Sequence, residues 1–310
     1  MEPWSIKDLP LPTSLLEARS HADDSWIERL PGLIGTLLAK WGLQAEGEAR
    51  TGMAAVVLPV RDQQGSPAVL RLQAPSDETS VAVLGLRSWN GDGMVRLADH
   101  DESSGAMLLE RLDPTRTLKS LTNDDDAATI VAGLLRRLHL ALPPPGLPEL
   151  RDVAADMVIA APEAESKLER EEERMRMRRW AATLAEIAPD SGRCLLHWDL
   201  HYDNVLAADR EPWLGIDPVP LVGDPAFDLW PVLDDGLETL PSSQDPVSLV
   251  RRRFNLLAEA LDLDRFRART WTSARLLQNA LWDIEDGATK LAPSALIVDD
   301  ALSGSLRTGS

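Results

Sequence analysis

Three observations predict a two-lobed α+β fold. Short β-like runs lie between residues 54 and 110, helical periodicity fills most of the chain beyond residue 112, and a compact polar loop interrupts apolar runs near residue 200. At 310 residues the chain is long enough for a large core divided between two lobes. The expected division is a first lobe over residues 1–111 and a helical lobe over residues 112–310.

Residues before about Ser25 carry Pro3, Pro10 and Pro12 and read as an extended arm. Apolar residues at Trp26, Ile27, Leu30, Leu33, Ile34, Leu37, Leu38 and Trp41 have helical spacing, and Gly42 stops the helix. Strands are expected over 54–61 and 68–73, joined by the turn Asp62-Gln63-Gln64-Gly65-Ser66-Pro67. A helix then runs to Trp89 with Ser76 as its N-cap, followed by strands over 94–98 and 106–110. Leu112-Asp113-Pro114 breaks the pattern. Helices are expected over 127–140, over 163–187 as one helix or a pair, and around 227–233, 247–261 and 266–286, with a shorter one near the end.

The net charge of −18, from 32 basic and 50 acidic residues, argues against nucleic acid and anionic membranes as partners. It suits a cationic substrate, and equally suits simple solubility. Apolar residues make up 44% and charged ones 26%, an ordinary balance for a globular enzyme. No apolar run approaches membrane-spanning length, and Met1-Glu2-Pro3-Trp4 has no export character. With the single cysteine, Cys194, this leads us to expect a cytoplasmic protein. A monomer is expected.

The chemistry concentrates in His197-Trp198-Asp199-Leu200-His201-Tyr202-Asp203-Asn204, followed by Leu214-Gly215-Ile216-Asp217-Pro218. A His-x-Asp, four residues, an Asn and a later Asp form the layout of a phosphotransferase catalytic loop. One carboxylate takes the proton of an acceptor hydroxyl, while the Asn and the second carboxylate hold Mg²⁺ against nucleotide phosphates. Few protein ligands are needed, because Mg²⁺ keeps room for phosphate and water. Two other readings exist. His197, Asp199 and His201 alternate and on a strand could ligate zinc. A purely structural polar turn would leave these carboxylates without a counter-ion.

With the blocks Gly91-Asp92-Gly93-Met94, Met107-Leu108-Leu109-Glu110-Arg111-Leu112-Asp113, Gly223-Asp224-Pro225 and Phe227-Asp228-Leu229-Trp230, the chain resembles the aminoglycoside phosphotransferases. Together with Leu276-Leu277-Gln278-Asn279 and Leu281-Trp282-Asp283-Ile284-Glu285-Asp286-Gly287, it is most similar to their streptomycin 6-kinase (aminoglycoside 6-phosphotransferase) branch. The resemblance implies a bilobal protein-kinase-like fold, with a small antiparallel sheet and a helix in the N-lobe and a larger, mostly helical C-lobe. It implies ATP and Mg²⁺ as cofactors and a cationic aminoglycoside or amino-sugar as substrate. It makes Asp199 the catalytic base or the residue that orients the hydroxyl, Asn204 and Asp217 the Mg²⁺ ligands, and the backbone of Glu110 to Leu112 the adenine contact. Asp203 shapes the loop, and Asp224 and Asp228 brace it.

Thr51-Gly52-Met53-Ala54 would be the phosphate-covering turn, though one glycine among small residues is equally a plain hairpin. Where such folds carry a strand lysine paired with a helix glutamate, this chain offers Arg71 and Glu78. Arginine keeps the charge but is not interchangeable with lysine. Asn279, Trp282, Asp283 and Asp286 share a helix face suited to guanidinium and ammonium groups, or else form a solvated helix end capped by Gly287. The activity implied is phosphorylation of streptomycin at position 6, with consequent resistance. The alternatives are a metabolic amino-sugar kinase, such as one acting on glucosamine, and a catalytically weak nucleotide-binding regulator.

Overall fold

Alternation along the third strand organises the first lobe. Val56, Leu58 and Val60 are buried while the residues between them are less so, the period-2 signature of a strand covered on one face. The computed structural model describes residues 24–51, 55–240 and 243–303; the expected N-terminal arm and most of the turn at 51–54 lie outside them. In chain order the first lobe has α1 (Asp24–Trp41), β1 (Gln44–Ala45), β2 (Arg50–Thr51), β3 (Val56–Arg61) and β4 (Pro67–Leu72). It continues with α2 (Asp77–Trp89), β5 (Leu97–Asp101) and β6 (Ala106–Glu110). The sheet is antiparallel throughout, in the order β1-β3-β4-β6-β5, with β2 pairing the far end of β3.

Helix α1 lays Trp26, Ile27, Leu30, Ile34 and Leu37 on the buried face of β3 and β4. Each such side chain contributes about 1.5–3 kcal/mol of burial. Gly42, at φ +60°, ends α1 in the left-handed conformation that other residues adopt at a cost. Helix α2 begins as predicted. Ser76 accepts from the Thr79 amide, and the Thr79 hydroxyl accepts from the Ser76 amide, closing a capping box.

Two expected elements differ. The strand expected over 94–98 forms three residues later as β5, and Met94 makes only a bridge to Gly215. Met94 and Val95 are apolar because they are buried in the large core, not because they face a sheet. The break expected at Leu112-Asp113-Pro114 is instead the start of a strand, β7 (Asp113–Thr117). Pro114 is tolerated there because β7 is an edge strand with an irregular register.

Strand β7 pairs not with the first sheet but with β9 (Val205–Ala207), which also pairs with β10 (Leu214–Gly215). The chain therefore leaves one sheet at Glu110 and enters another at Asp113. A third ladder joins β8 (Cys194–Leu196) to β11 (Leu221–Gly223). The helices are α3 (Asp124–Leu138), α4 (Leu150–Lys167), α5 (Glu171–Ile187), α6 (Trp230–Asp234), α7 (Pro246–Ala260), α8 (Arg265–Glu285) and α9 (Pro293–Ser303). The charged 163–187 stretch is thus the end of one helix and the whole of another. Helix α2 packs Val83, Leu86 and Trp89 into the large core of this second half, and the Trp89 indole donates to the Leu138 carbonyl at 3.1 Å.

The loops 197–204 and 216–220 leave β8 and β10 side by side. The Gly215 amide donates to the Gly93 carbonyl at 2.9 Å, and a Cβ there would lie 2.7 Å from Met94 Sδ and 3.2 Å from Leu200 Cδ1. Gly215→Ala is therefore expected to cost about 1–3 kcal/mol by overpacking. Urea unfolding should show it as a lower midpoint at unchanged slope.

Candidate active site

The backbone of the two loops is stitched together before any side chain acts. The Ile216 amide donates to the Asn204 carbonyl at 2.9 Å and the Val219 amide to the His197 carbonyl at 3.0 Å. His197 is fully buried. Its Nε2–H donates to the Ile216 carbonyl at 3.0 Å, and its Nδ1 accepts the Asp199 amide at 3.3 Å. Both ring nitrogens are thus spent within the protein, which removes His197 from any zinc site. Burial pushes its pKa below the usual imidazole value, against the opposing pull of Asp228 and Asp199.

Asp228 braces the other side. Its carboxylate, 1% exposed, accepts the His197 amide at 3.1 Å, the Trp198 amide at 2.6 Å and His139 Nε2 at 2.9 Å. Asp224 has a different task. It caps the turn Pro225–Leu229 through the Ala226 amide and pairs with Arg267 at 2.5 Å.

Held this way, Asp199 keeps a half-exposed carboxylate. Asn204 donates its amide to the Asp199 carbonyl at 2.9 Å and lies 3.5 Å from the carboxylate itself, so the two are neighbours. Asp217 follows Ile216, opposite Asn204 across the loop pair, and adopts φ +53°. The amide nitrogen of Asn204 is engaged, leaving the oxygen as its remaining polar atom. That oxygen and the Asp217 carboxylate are the hard donors Mg²⁺ prefers. No group of three or more His, Cys, Asp or Glu side chains able to hold a metal exists among the described residues.

Arg71 Nη2 lies 2.8 Å from Asp217 Oδ1. This replaces the expected partnership with Glu78, which is exposed in the first turn of α2 and has no ion-pair partner among the described residues. The buried stripe of α2 runs through Thr79, Ala82, Val83 and Leu86, so Glu78 falls on the solvent side. Arg71 and Asp217 line a cavity of about 360 Å³ walled by Val57, Val69 and Leu109. Glu110, Arg111 and Leu112 close one end of it. The Glu110 side chain is occupied by Arg210 at 2.8 Å, and the Glu110 amide donates to the Arg96 carbonyl at 2.9 Å, so neither of these groups is free for a ligand.

A second cavity, of about 450 Å³, is lined by Asp199. Of the predicted helix face, Asn279 and Trp282 line it; Asp283 and Asp286 do not. Asp286 is the C-cap of α8 and is exposed, and burial first, then Asp286, raises the pKa of Asp283. The acid groups come instead from Asp203, Asp234, Asp235 and Glu238, which with Asp199 set five carboxylates against Lys119 and Arg275. Burial raises the pKa of Asp234, and Glu238 and Asp235 add to the rise against a hydrogen bond from Ser294. The run Asp234-Asp235-Gly236-Leu237-Glu238 was the available signal. It reads as an ordinary polar helix end until the fold brings it opposite Asp199.

One cavity bearing Asp199 and another bearing Asp217, on this fold, suit a kinase-like phosphotransferase. An aminoglycoside 2'-phosphotransferase-IIIa mutant solved with GDP has the same fold, with a TM-score of 0.59 at 13% identity over 90% of this chain and 99% of that one. The chain belongs to the aminoglycoside/hydroxyurea antibiotic resistance kinases, whose family profile matches residues 40–287. It is 52% identical to a streptomycin 6-kinase of Streptomyces griseus, over 96% of this chain and 98% of that protein. It is 44% identical to a hydroxyurea phosphotransferase of Kitasatospora aureofaciens, over 95% of this chain and 86% of that protein.

A histidine buried neutral binds its proton more readily once unfolded. Stability tied to His197 is therefore complete above the unfolded value of about 6.5 and is lost as pH falls below it toward the depressed folded value. Urea midpoints measured from about pH 8 to pH 5 should decline below about 6.5, and His197→Asn should flatten that decline.

Proposed function

We propose that this kinase transfers the γ-phosphate of ATP, with Mg²⁺, to the 6-hydroxyl of streptomycin and so inactivates the drug in the cytoplasm. The observation that carries the reading is the position of Asp199. It lines the acidic cavity and touches Asn204, whose loop partner Asp217 lines the other cavity. Among the described residues no helix is long and apolar enough to cross a membrane, in keeping with action inside the cell. We take the working unit to be a monomer.

The acceptor hydroxyl would lie against Asp199, which accepts its proton as the bond to phosphorus forms. Asn204 and Asp217 would hold Mg²⁺, which when bound neutralises phosphate charge and orients the transferred group. Arg71 would release Asp217 and turn its guanidinium to the phosphates, a charge-assisted contact. Streptomycin carries two guanidinium groups and a methylamine, which match the five carboxylates of the acceptor cavity. Trp282, 47% exposed, offers a ring face to one of these cations. Hydroxyurea, on which a 44% identical relative is named as acting, is small and neutral and gains nothing from those charges.

ADP release should accordingly be faster with streptomycin than with glucosamine or hydroxyurea at equal concentration; a preference for either of the others would refute the acceptor assignment. Asp199→Ala is expected to lower kcat with streptomycin by about 10²–10⁴-fold, the usual contribution of a positioned base. Arg71→Lys is expected to raise KM for ATP or lower kcat by about tenfold, the value of one charged hydrogen bond. If it left both parameters unchanged, Arg71 would have no phosphate role.

A further inference from the structure

Trp198 occupies an uncomfortable position. Its φ is +68°, a left-handed conformation that a bulky residue adopts only when its surroundings enforce it. The next residue is Asp199, so whatever holds the Trp198 peptide aims the base. Asp228 holds the amide of that peptide at 2.6 Å. The carbonyl is held from the opposite side by Arg275 Nη2 at 3.3 Å, and the indole Nε1–H donates to Gln278 Oε1 at 3.1 Å.

Arg275 is itself out of place as a mere core residue. It is 5% exposed, has no ion-pair partner among the described residues, and its Nε meets no acceptor. Burial pushes its guanidinium down to about 10, still protonated at neutral pH, with Asp199, Asp228 and Asp234 supplying the nearby negative field. What offsets its desolvation is a set of ring faces: Trp198, Phe227 and Trp282 lie 5.7, 5.6 and 5.4 Å from it. Nη1 also bonds Gln278 Oε1. An apolar side chain of similar volume would fill this space at lower cost. It would leave the Trp198 carbonyl without its donor and the indole stacked on nothing charged.

We infer that Arg275 is a positioning residue of the phosphoryl-transfer reaction, holding the Trp198 peptide in its left-handed turn and thereby aiming Asp199 at the acceptor. The inference rests on the kinase reading of Asp199. It also makes α8 a single instrument with two tasks. Asn279, Trp282 and part of Arg275 line the acceptor cavity, while Arg275 and Gln278, on the preceding turn, also hold the base. Trp282 belongs to both sets, since its exposed ring borders the acceptor cavity and stacks on Arg275. An acceptor settling on Trp282 presses on the clamp that orients Asp199.

The test compares wild type with Arg275→Met, Arg275→Lys and Gln278→Ala, using streptomycin turnover per folded molecule and amide hydrogen exchange of the peptide spanning 195–206. Arg275→Met should lower kcat by about tenfold or more, because small misplacements of a reacting group carry large rate costs, with KM for ATP unchanged. Exchange in 195–206 should quicken while that of α4 and α5 stays as in wild type. Arg275→Lys keeps the charge but loses the planar fork, so it should resemble Arg275→Met; full recovery by lysine would overturn the clamp in favour of a simple charge effect. Should Arg275→Met fail to fold, Gln278→Ala carries the test, with a smaller loss of kcat and the same local quickening. Normal kcat, or unchanged exchange in 195–206, overturns the inference. Wild-type enzyme silent toward streptomycin would defeat the acceptor assignment alone, since the exchange measurement needs no acceptor and still decides the role of Arg275.

Discussion

The active site depends on one buried carboxylate. Asp228 collects two consecutive backbone amides and an imidazole N–H, and each of the three would otherwise be a buried donor in want of a partner. The arrangement is reciprocal, because a carboxylate at 1% exposure is costly to bury without such donors. The two amides belong to His197 and Trp198, so the bond fixes the start of the loop that carries Asp199. The imidazole belongs to His139, the C-cap of α3, so the same atom group anchors a helix end. From this pin His197 reaches across to Ile216, whose amide bonds the Asn204 carbonyl, so that the second loop lies alongside the first.

Charge is divided between the cavity that Asp199 lines and the one that Asp217 lines. The larger is dominated by carboxylates, with Lys119 engaged by Asp203 at 2.6 Å. The smaller has Arg50, Arg71 and Arg111 interleaved with Glu46, Glu110 and Asp217. That partition suits a polycation entering one side and a polyanion entering the other. The Arg71–Asp217 pair leaves the polyanion side self-neutralised, so neither charge is stranded.

What could be read from the sequence was what lies close together in it. Asp199, Asn204 and Asp217 fall within 19 residues, their spacing is set by one loop and one hairpin, and their adjacency needs no knowledge of the tertiary fold. The Ser76 cap and helix α1 were equally legible, since each rests on local hydrogen bonding or on a single period. The failures share the opposite property. Glu78 resembled a partner for Arg71 by analogy, but which acid meets a strand arginine is decided by how the second lobe docks. Met94 and Val95 looked like a strand because burial between elements leaves the same apolar mark as burial in a sheet. Pro114 read as a terminator, yet β7 pairs with a strand some 90 residues later, a partner no local pattern announces. Asp234, Asp235 and Glu238 were invisible for the same reason.

Helix α8 shows how far function can lie from any motif. Its spacing predicted a carboxylate-rich face toward the acceptor, but the carboxylates at 283 and 286 sit at the helix end, beyond the cavity wall. What α8 contributes between Arg275 and Trp282 is a buried cation, an amide and an aromatic ring, bonded to or packed against the residue before Asp199. A loop of eight residues cannot by its own backbone hold a tryptophan in a left-handed turn. The conformation therefore has to be enforced from outside, by Asp228 on one side of the peptide and Arg275 on the other. Strain at Trp198 and burial of charge at Arg275 are each unfavourable alone. Together they leave the Asp199 carboxylate little freedom except to face the cleft.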